Sequence, residues 1–547
     1  MEMERKVTVQ DIIDALGMEG QLVSINGEPS CSALMALYIH PEMQELASRV
    51  ISGVTFNSKA VREGSLFVCK GALFREEYLA DAIAAGAACF VREDPDAPEA
   101  GQCAIVSDED AKAAAEHILK ESESSGLGIY VRDIRKSMPV IAETFYGKLY
   151  DEVRMVGITG TKGKSTTAFF MRYILDDLLA EEDGKHSALL SGIDNYDGVE
   201  DEESTLTTPE IFEIYRHMDN AVKSGIKYMT MEVSSQALKY DRVAGIEFEA
   251  VAFLNIGSDH ISAIEHPDFD DYLNSKLRIF NDCRRACVNL DCDEQERIQA
   301  AAARCPQLIT FSRKDGSANV YGYDMVSHEG RVSLRIRGRD IPGYEDFDED
   351  FVLGTFGLIN VENALAAVSL SALLGVPMKH IKAGLAAAMT PGRMEVFYSS
   401  DGKRIAIVDY AHNKLSFETF YETVRAEFPG RKIISVFGAT GTKAVNRRFD
   451  MGSAAGRMSD YSIITEDDPA YEDLGEICRQ IAGAIEAEGG RCEIVPDRPE
   501  AIKRAISLMD DQTIVFIAGK GREHQQKRNG KTVQIPSDVE VVTEYLR

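Results

Sequence analysis

The sequence predicts an α/β protein of three domains, and three observations carry that reading. Strand-like and helix-like segments alternate through the last third of the chain, the pattern of a parallel, doubly wound sheet. Upstream, a strand-like run, VRMVGI (153–158), passes through a glycine-rich turn into a helix-like run, TTAFFMRYILDDLLA (166–180). That is the setting of a phosphate-binding loop on a second sheet. The length, 547 residues, leaves room for about three to five domains at about 100–200 residues each. A connector at Phe145–Asp151 and a break at Thr390-Pro391-Gly392 give domains of 1–148, 149–390 and 391–547.

Taken in order, residues 1–50 show no clear period. SLFVCK (65–70) reads as a strand and YLADAIAAGAA (78–88) as a helix. In the middle domain IKYMTMEV (226–233) and EAVAFLNI (249–256) read as strands, and NVENALAAVSLSALLG (360–375) as a helix. Five further strands follow: RIAIVDY (404–410), KIISVFG (432–438), YSIIT (461–465), CEIV (492–495) and TIVFIAG (513–519). Ligands of such sheets sit beyond the carboxyl ends of the strands. Four polar loops therefore share one rim: Ala411–Lys414, Ala439–Lys443, Glu466–Ala470 and Lys520–Glu523.

Composition excludes several classes of function. Apolar residues make up 44%, charged residues 27% and aromatics 8%, as in soluble globular proteins. Sixty Lys and Arg against 89 Asp and Glu give a net charge of −29. That argues against nucleic acid or an anionic membrane surface as partner. No apolar run reaches the roughly 20 residues of a membrane span. The opening MEMERKVTVQ lacks a signal peptide's apolar stretch. The ten cysteines read as reduced thiols, and the chain as a cytoplasmic enzyme. Cys283, Cys287 and Cys292 have no fourth ligand at zinc spacing and read as ordinary thiols.

The strongest local signal is GITGTKGKST (157–166). Its glycines let successive N–H groups point at phosphate oxygens, and the helix N-terminus adds positive potential. Lys164 suits the terminal phosphates and the Ser165 hydroxyl suits Mg²⁺. The strict Walker spacing is not met, because Ile158 stands where a glycine is required.

This loop resembles that of the Mur ligases and their folylpolyglutamate synthase relatives. The likeness recurs in order through MEVSS (231–235), Ser258-Asp259-His260, NVENALAA (360–367), TPGRME (390–395) and DYAHN (409–413). Asn57-Ser58-Lys59 with GSLFV (64–68), Thr207-Thr208-Pro209-Glu210, and Gly519-Lys520-Gly521-Arg522-Glu523 are similar to the tripeptide-forming branch of that family. The resemblance implies an N-terminal uridine-nucleotide-binding α/β domain, a central P-loop ATPase-type parallel-sheet domain, and a C-terminal Rossmann-like domain that binds an amino acid.

The implied reaction is amide ligation in peptidoglycan precursor synthesis, with ATP and two Mg²⁺ ions. A carboxylate of UDP-MurNAc-L-Ala-D-Glu attacks the γ-phosphate, and a free amino acid displaces phosphate from the acyl phosphate. The family's roles fall on matching positions of this chain. Gly160, Thr161, Lys162, Gly163, Lys164, Ser165, Thr166, Asn363, Arg393, Asp409 and His412 would hold ATP. Ser58, Thr207, Thr208, Ser234 and Arg242 would hold the UDP-sugar peptide. Ser165, Glu232, His260 and Lys276 would face the metal, with Lys276 as a carbamate, because a carbamate supplies oxygens where an ammonium repels a cation. Lys164, Glu232, His260 and Lys276 form the implied catalytic set. The chain would act as a monomer.

The implied amino-acid pocket comprises Lys443, Asp467, Asp468, Ala470, Gly519 and Glu523. Diaminopimelate-adding relatives carry an arginine at the position of Ala470, and an alanine cannot grip a carboxylate. The three carboxylates suit a substrate ending in an ammonium, so L-lysine is expected. Three departures keep diaminopimelate, ornithine, or another carboxylate acceptor such as that of a folylpolyglutamate-like ligase, open as alternatives. Lys443 replaces an arginine, Asn413-Lys414 replaces Thr-Pro, and Asn57-Ser58-Lys59 replaces Asp-Ser-Arg.

Overall fold

The computed structural model describes residues 6–71, 74–97, 106–182, 184–257, 261, 265–328, 331–355, 357–442 and 445–547. Three sheets organise the chain. In the first, strands Gly53–Thr55, Ser65–Cys69, Cys89–Glu93 and Gly128–Val131 run parallel, and Leu22–Ile25 and Glu28–Pro29 extend it antiparallel. Regular structure begins earlier than the sequence pattern indicated. Helices span Val9–Met18, Ser30–Ile39 and Pro41–Ala47. The first is set by Val9, Ile12, Ile13 and Leu16, all buried, and by a Thr8–Asp11 capping box. Its period covers only ten residues, too few to stand out against the polar flanks.

The central sheet has eleven strands. Ala188–Leu190, Tyr228–Glu232, Arg154–Thr159, Ala250–Phe253, Arg285–Asn289, Gln307–Ser312 and Val320–His328 form its parallel core. Antiparallel strands extend both edges, with Arg331–Gly338 and Phe347–Leu353 on one side and Asp194–Tyr196 and Asp201–Glu203 on the other. Every residue of helix Asn360–Leu373 except Glu362 is buried, so the helix lies inside the molecule and carries no polar stripe. Gly384 lets its helix approach Lys164–Glu182 so closely that a Cβ would strike the Ile174 backbone.

The last sheet runs in the order Glu395–Tyr398, Ile405–Asp409, Thr513–Ala518, Lys432–Phe437, Tyr461–Ile464, Cys492–Ile494. All its pairings are parallel except the first. Hairpin Gln525–Arg528/Lys531–Gln534 follows the final parallel strand as a separate two-stranded sheet, bridged at Arg528 to Ala470. Cys283 and Cys305 form a disulfide. This corrects the expectation of reduced thiols for Cys283, whereas Cys287 and Cys292 are free. Packing brings residues 22 positions apart to one place, next to the Phe280 carbonyl.

One buried ion pair fixes the loops at the rim of the last sheet. Arg498 meets Asp538 through two bonds of 2.7 Å. The same guanidinium donates to the carbonyls of Glu466 (3.1 Å) and Ala518 (2.8 Å), and Asp538 accepts from the Gly521 N–H (3.0 Å). Breaking a buried pair by removing one partner strands the other charge. Asp538→Ala should therefore cost about 3–5 kcal/mol, read as a lowered denaturation midpoint, whereas Arg498→Met with Asp538→Leu should cost much less.

Candidate active site

The phosphate loop lies between strand Arg154–Thr159 and helix Lys164–Glu182. Gly163 has φ +85°, and a Cβ there would overlap the Asn363 amide. The expected nucleotide residue Asn363 thus closes one side of the loop, tied to Asn360 at 3.1 Å. Asn255 braces the other side: its Oδ1 accepts from the Lys162 N–H (2.9 Å) and its Nδ2 donates to the Lys162 carbonyl (3.1 Å). Thr161 shares a 3.0 Å hydrogen bond with Tyr272. Ser165 and Thr166 sit in the first turn of the helix. Lys164 folds back so that its ammonium donates to the Gly160 carbonyl at 2.9 Å. Lys276, buried on helix Phe269–Leu277, donates to that same oxygen at 3.0 Å. The two lysines expected at the site therefore converge on one atom.

Glu232 ends the neighbouring strand at 1% exposure. It accepts from the Gly192 N–H (2.8 Å) and has no ion pair among the described residues. A buried carboxylate of that kind suits a hard cation. A carboxylate oxygen from Glu232 and a hydroxyl from Ser165 are the kind of hard donors that fit Mg²⁺. Thr208 joins this strand end to the expected sugar-peptide side. Its hydroxyl donates to the Glu232 carbonyl (2.8 Å), accepts from the Ser234 N–H (3.0 Å), and lies 3.3 Å from the Ser234 hydroxyl. Arg242 donates to the Thr208 carbonyl (3.2 Å). Thr207 packs against Gly192, and Ser58 begins a short turn in the first sheet's unit. Asp259, His260 and Lys443 lie outside the described residues. Asp197, Glu200 and His217 form a second cluster of possible metal ligands. Asp197 there already accepts from two backbone N–H groups, Asn220 and His217, and Arg216 occupies Glu200.

The last sheet contributes its rim to the same region. Lys162 reaches the Ser416 hydroxyl at 3.5 Å. Asn413 caps helix Lys414–Glu427 through Ser416 N (3.0 Å), so this departure from Thr-Pro preserves the helix start. Asp409 accepts from Met394 N (2.8 Å) and Ala411 N (2.7 Å), and burial pushes its carboxyl above the usual range against the pull of Arg393. The Arg393 guanidinium lies 5.3 Å from the Tyr410 ring centroid.

At the expected amino-acid pocket Asp467 is buried, and burial raises its carboxyl and that of Glu523. A Cβ at Gly519 would touch Asp467. Lys520, which was not singled out as a site residue, bridges Asp468 (3.2 Å) and Glu523 (2.5 Å). The rim is thus less negative than its three carboxylates alone indicate. Beside it, Glu466 takes both nitrogens of the Arg528 fork. Ala470, at φ +54°, pairs with the Arg528 backbone. Ala470, Glu466 and Arg528 line a cleft of about 450 Å³. Lys520 stood in a loop already marked by its glycines, whereas no sequence spacing links Glu466 to Arg528.

Three sheets with a phosphate loop, a buried strand-end carboxylate and a facing Rossmann-like rim define an ATP-dependent ligase. Comparison with known proteins agrees. The Mur ligase middle domain matches residues 158–371, and the Mur ligase, glutamate ligase domain matches 392–521. A UDP-N-acetylmuramoyl-L-alanyl-D-glutamate–L-lysine ligase of Enterococcus faecalis is 35% identical over 91% of this chain and 93% of its own. A UDP-N-acetylmuramyl-tripeptide synthetase of Lactobacillus delbrueckii subsp. bulgaricus is 32% identical over 92% and 95%. Among solved structures, a UDP-N-acetylmuramoyl-L-alanyl-D-glutamate–2,6-diaminopimelate ligase superposes with TM-score 0.59 at 22% identity, covering 92% of this chain and 98% of that one. A Mycobacterium tuberculosis folylpolyglutamate synthase complexed with ADP gives 0.56 at 18%, covering 70% and 91%. The chain belongs to the Mur ligase family.

His412 generates a pH prediction. Desolvation in the cleft, and after it the charges of Arg447, Arg393 and Lys162, hold its imidazole below the ordinary range against the Tyr410 carbonyl. A triphosphate placed beside it favours the charged form. ATP binding should take up protons near pH 6, and affinity should rise as pH falls through the bound-state pKa. Calorimetry in buffers of different ionisation enthalpy reads this uptake, and His412→Gln should abolish it.

Proposed function

We propose that the chain adds L-lysine to UDP-MurNAc-L-Ala-D-Glu with ATP, in peptidoglycan precursor synthesis. Domains 1–148, 149–390 and 391–547 would bring the sugar peptide, ATP and the amino acid respectively. Relatives at 33–35% identity over 91% of this chain carry the L-lysine ligase name. The observation that carries the choice of amino acid is the state of the cations beside Ala470. Arg528 is paired with Glu466 through Nε and Nη2, and Lys520 is paired with Asp468 and Glu523. A second substrate carboxylate would have to compete with Glu466, Asp468 and Glu523 for these cations. Lys443 suits the α-carboxylate that both candidate amino acids share. A folylpolyglutamate-like activity is disfavoured, because that likeness covers 70% of this chain and leaves no role for a first sheet of the kind seen here.

In this mechanism the phosphate loop binds and orients the triphosphate. Lys164 leaves the Gly160 carbonyl to meet the γ-phosphate, where its charge offsets that of the transferring group. Ser165 and Glu232, with His260, would hold Mg²⁺, which supplies Lewis-acid stabilisation of the phosphoryl oxygens. Thr208, Ser234 and Arg242 hold the sugar peptide so that its carboxylate faces the γ-phosphate. The incoming amine must arrive neutral, and the burial-raised carboxyls of Asp467 and Glu523 lie where its proton can go. Rim and phosphate loop close on each other through Lys162 and Ser416, excluding water from the acyl phosphate.

Two predictions follow from these roles. Lys276 as a carbamate would turn one of two crowded cations into an anion. Lys276→Ala should lose at least about 100-fold in turnover, a few kcal/mol of transition-state stabilisation, with partial rescue by a short carboxylic acid in the buffer. Full activity of the variant would remove Lys276 from the mechanism. In an amino-acid panel with UDP-MurNAc-L-Ala-D-Glu, read as phosphate release, lysine should be preferred over diaminopimelate by roughly 100-fold or more, since an unpaired buried carboxylate costs several kcal/mol. Ala470→Arg should shift the preference toward diaminopimelate incompletely, because Glu466 lines the same cleft and competes for the new guanidinium. Equal use of both amino acids by the unmodified enzyme would overturn the lysine assignment.

A further inference from the structure

At the junction between the first and central sheets, Arg242 shares a cluster of charges with Lys70 and Glu210. Lys70 follows strand Ser65–Cys69 of the first sheet, and its ammonium pairs with Glu210, which precedes helix Ile211–Lys223 of the central unit. Arg242 pairs with the same carboxylate at 3.1 Å. The three side chains are 13%, 16% and 14% exposed, so these charges interact through protein more than through water. Burial lowers the Lys70 ammonium against the pull of Glu210, and Arg242 and Arg135 push it the same way as burial. Among the described residues Arg242 Nε has no hydrogen-bond partner.

The cluster leads directly into the site. Arg242 donates to the Thr208 carbonyl, and the Thr208 hydroxyl donates to the Glu232 carbonyl. An unbroken series thus runs from Lys70 through Glu210, Arg242 and Thr208 to Glu232. Two cations share one anion, so losing Lys70 leaves Glu210 free to rotate onto Arg242 alone and reorient its guanidinium. Lys70 also lies over the Phe56 ring, 4.7 Å from its centroid, so the cluster reaches the aromatic contacts of the junction. Phe56 stacks on Phe212 at 6.5 Å between ring centroids, and Tyr146 lies 5.9 Å from Tyr215.

We propose that Lys70, acting through Glu210, is a positioning residue for the UDP-sugar peptide: it fixes Arg242 and Thr208 at the sheet junction, next to the metal-side carboxylate. This rests on the assignment of Arg242 and Thr208 to that substrate. It predicts a selective binding defect rather than a folding defect. The test compares the unmodified enzyme with Lys70→Met, Lys70→Arg, Glu210→Gln and the Lys70→Met/Glu210→Gln double variant. KM for UDP-MurNAc-L-Ala-D-Glu and for ATP, calorimetric affinity for the sugar peptide, and melting temperature are measured for each.

Lys70→Met should raise KM and Kd for the sugar peptide by at least about tenfold, as expected for truncating one member of a desolvated charge cluster, with KM for ATP within about twofold of normal. Lys70→Arg should restore most of the affinity. In the Glu210→Gln background, Lys70→Met should add less than about twofold, because the two act as a unit. Unchanged sugar-peptide affinity in Lys70→Met overturns the proposal. So does a parallel loss for both substrates with a lowered melting temperature, and so does full additivity in the double variant. Should the unmodified enzyme neither bind nor turn over UDP-MurNAc-L-Ala-D-Glu, the substrate assignment itself fails. That outcome is distinct from normal turnover that is insensitive to Lys70.

Discussion

The Gly160 carbonyl oxygen is the point on which the site depends. Two ammonium groups, from Lys164 and Lys276, approach it to 2.9 and 3.0 Å. Like charges that close repel in a poorly solvated setting, and the arrangement is relieved when an anion arrives or one charge is removed. A polyphosphate would supply the first remedy, and the proposed carbamylation of Lys276 the second. The backbone makes the convergence possible: Gly163 turns where a Cβ would collide with Asn363, and Tyr272, one helical turn before Lys276, anchors Thr161. Loop and lysine helix are thus held to each other by the residues that flank them.

From that point, coupling spreads through carboxylates and carbonyls shared between elements. Glu232 and Thr208 carry it toward the first sheet. Lys162 and Ser416 carry it to the last, where the Asn413 cap sets the start of the helix that bears Ser416. Beyond them the Arg498–Asp538 pair fixes two rim loops at once by bonding the Glu466 and Ala518 carbonyls and the Gly521 N–H. These ties suit a reaction whose intermediate must be shielded from water while three substrates are held in line.

At the rim, what a proposed amino-acid substrate would meet depends on which charges are already engaged as much as on which are present. The loop after the YSII strand holds acidic residues, yet Lys520 and Arg528 occupy several of their oxygens. The consequence is symmetrical: the carboxylates are partly satisfied, and so are the cations that a second substrate carboxylate would need. What remains for the substrate is the balance between Asp467, deeply buried, and the arrangement around Ala470.

The sequence alone determined the α/β class, the strands that frame the phosphate loop, the alternation of the last sheet and the loops on its rim, because these rest on local periodicity and on glycines at fixed offsets. VRMVGI leading into GTKGKST requires no distant partner to be recognised. The three helices before residue 50 leave little signal, because Val9–Met18 and Pro41–Ala47 are short and Ser30–Ile39 is apolar without a stripe. The antiparallel extension of the central sheet, the Cys283–Cys305 disulfide and the all-round burial of helix Asn360–Leu373 were decided by tertiary packing. So were the convergence of Lys164 and Lys276 on one oxygen, the Glu466–Arg528 pair across 62 residues, and the Lys70–Glu210 pair across 140. The physical reason is the same in each case. A charge pair or buried contact between distant segments leaves no period and no spacing in the chain, and only the packing of the sheets brings its members within reach.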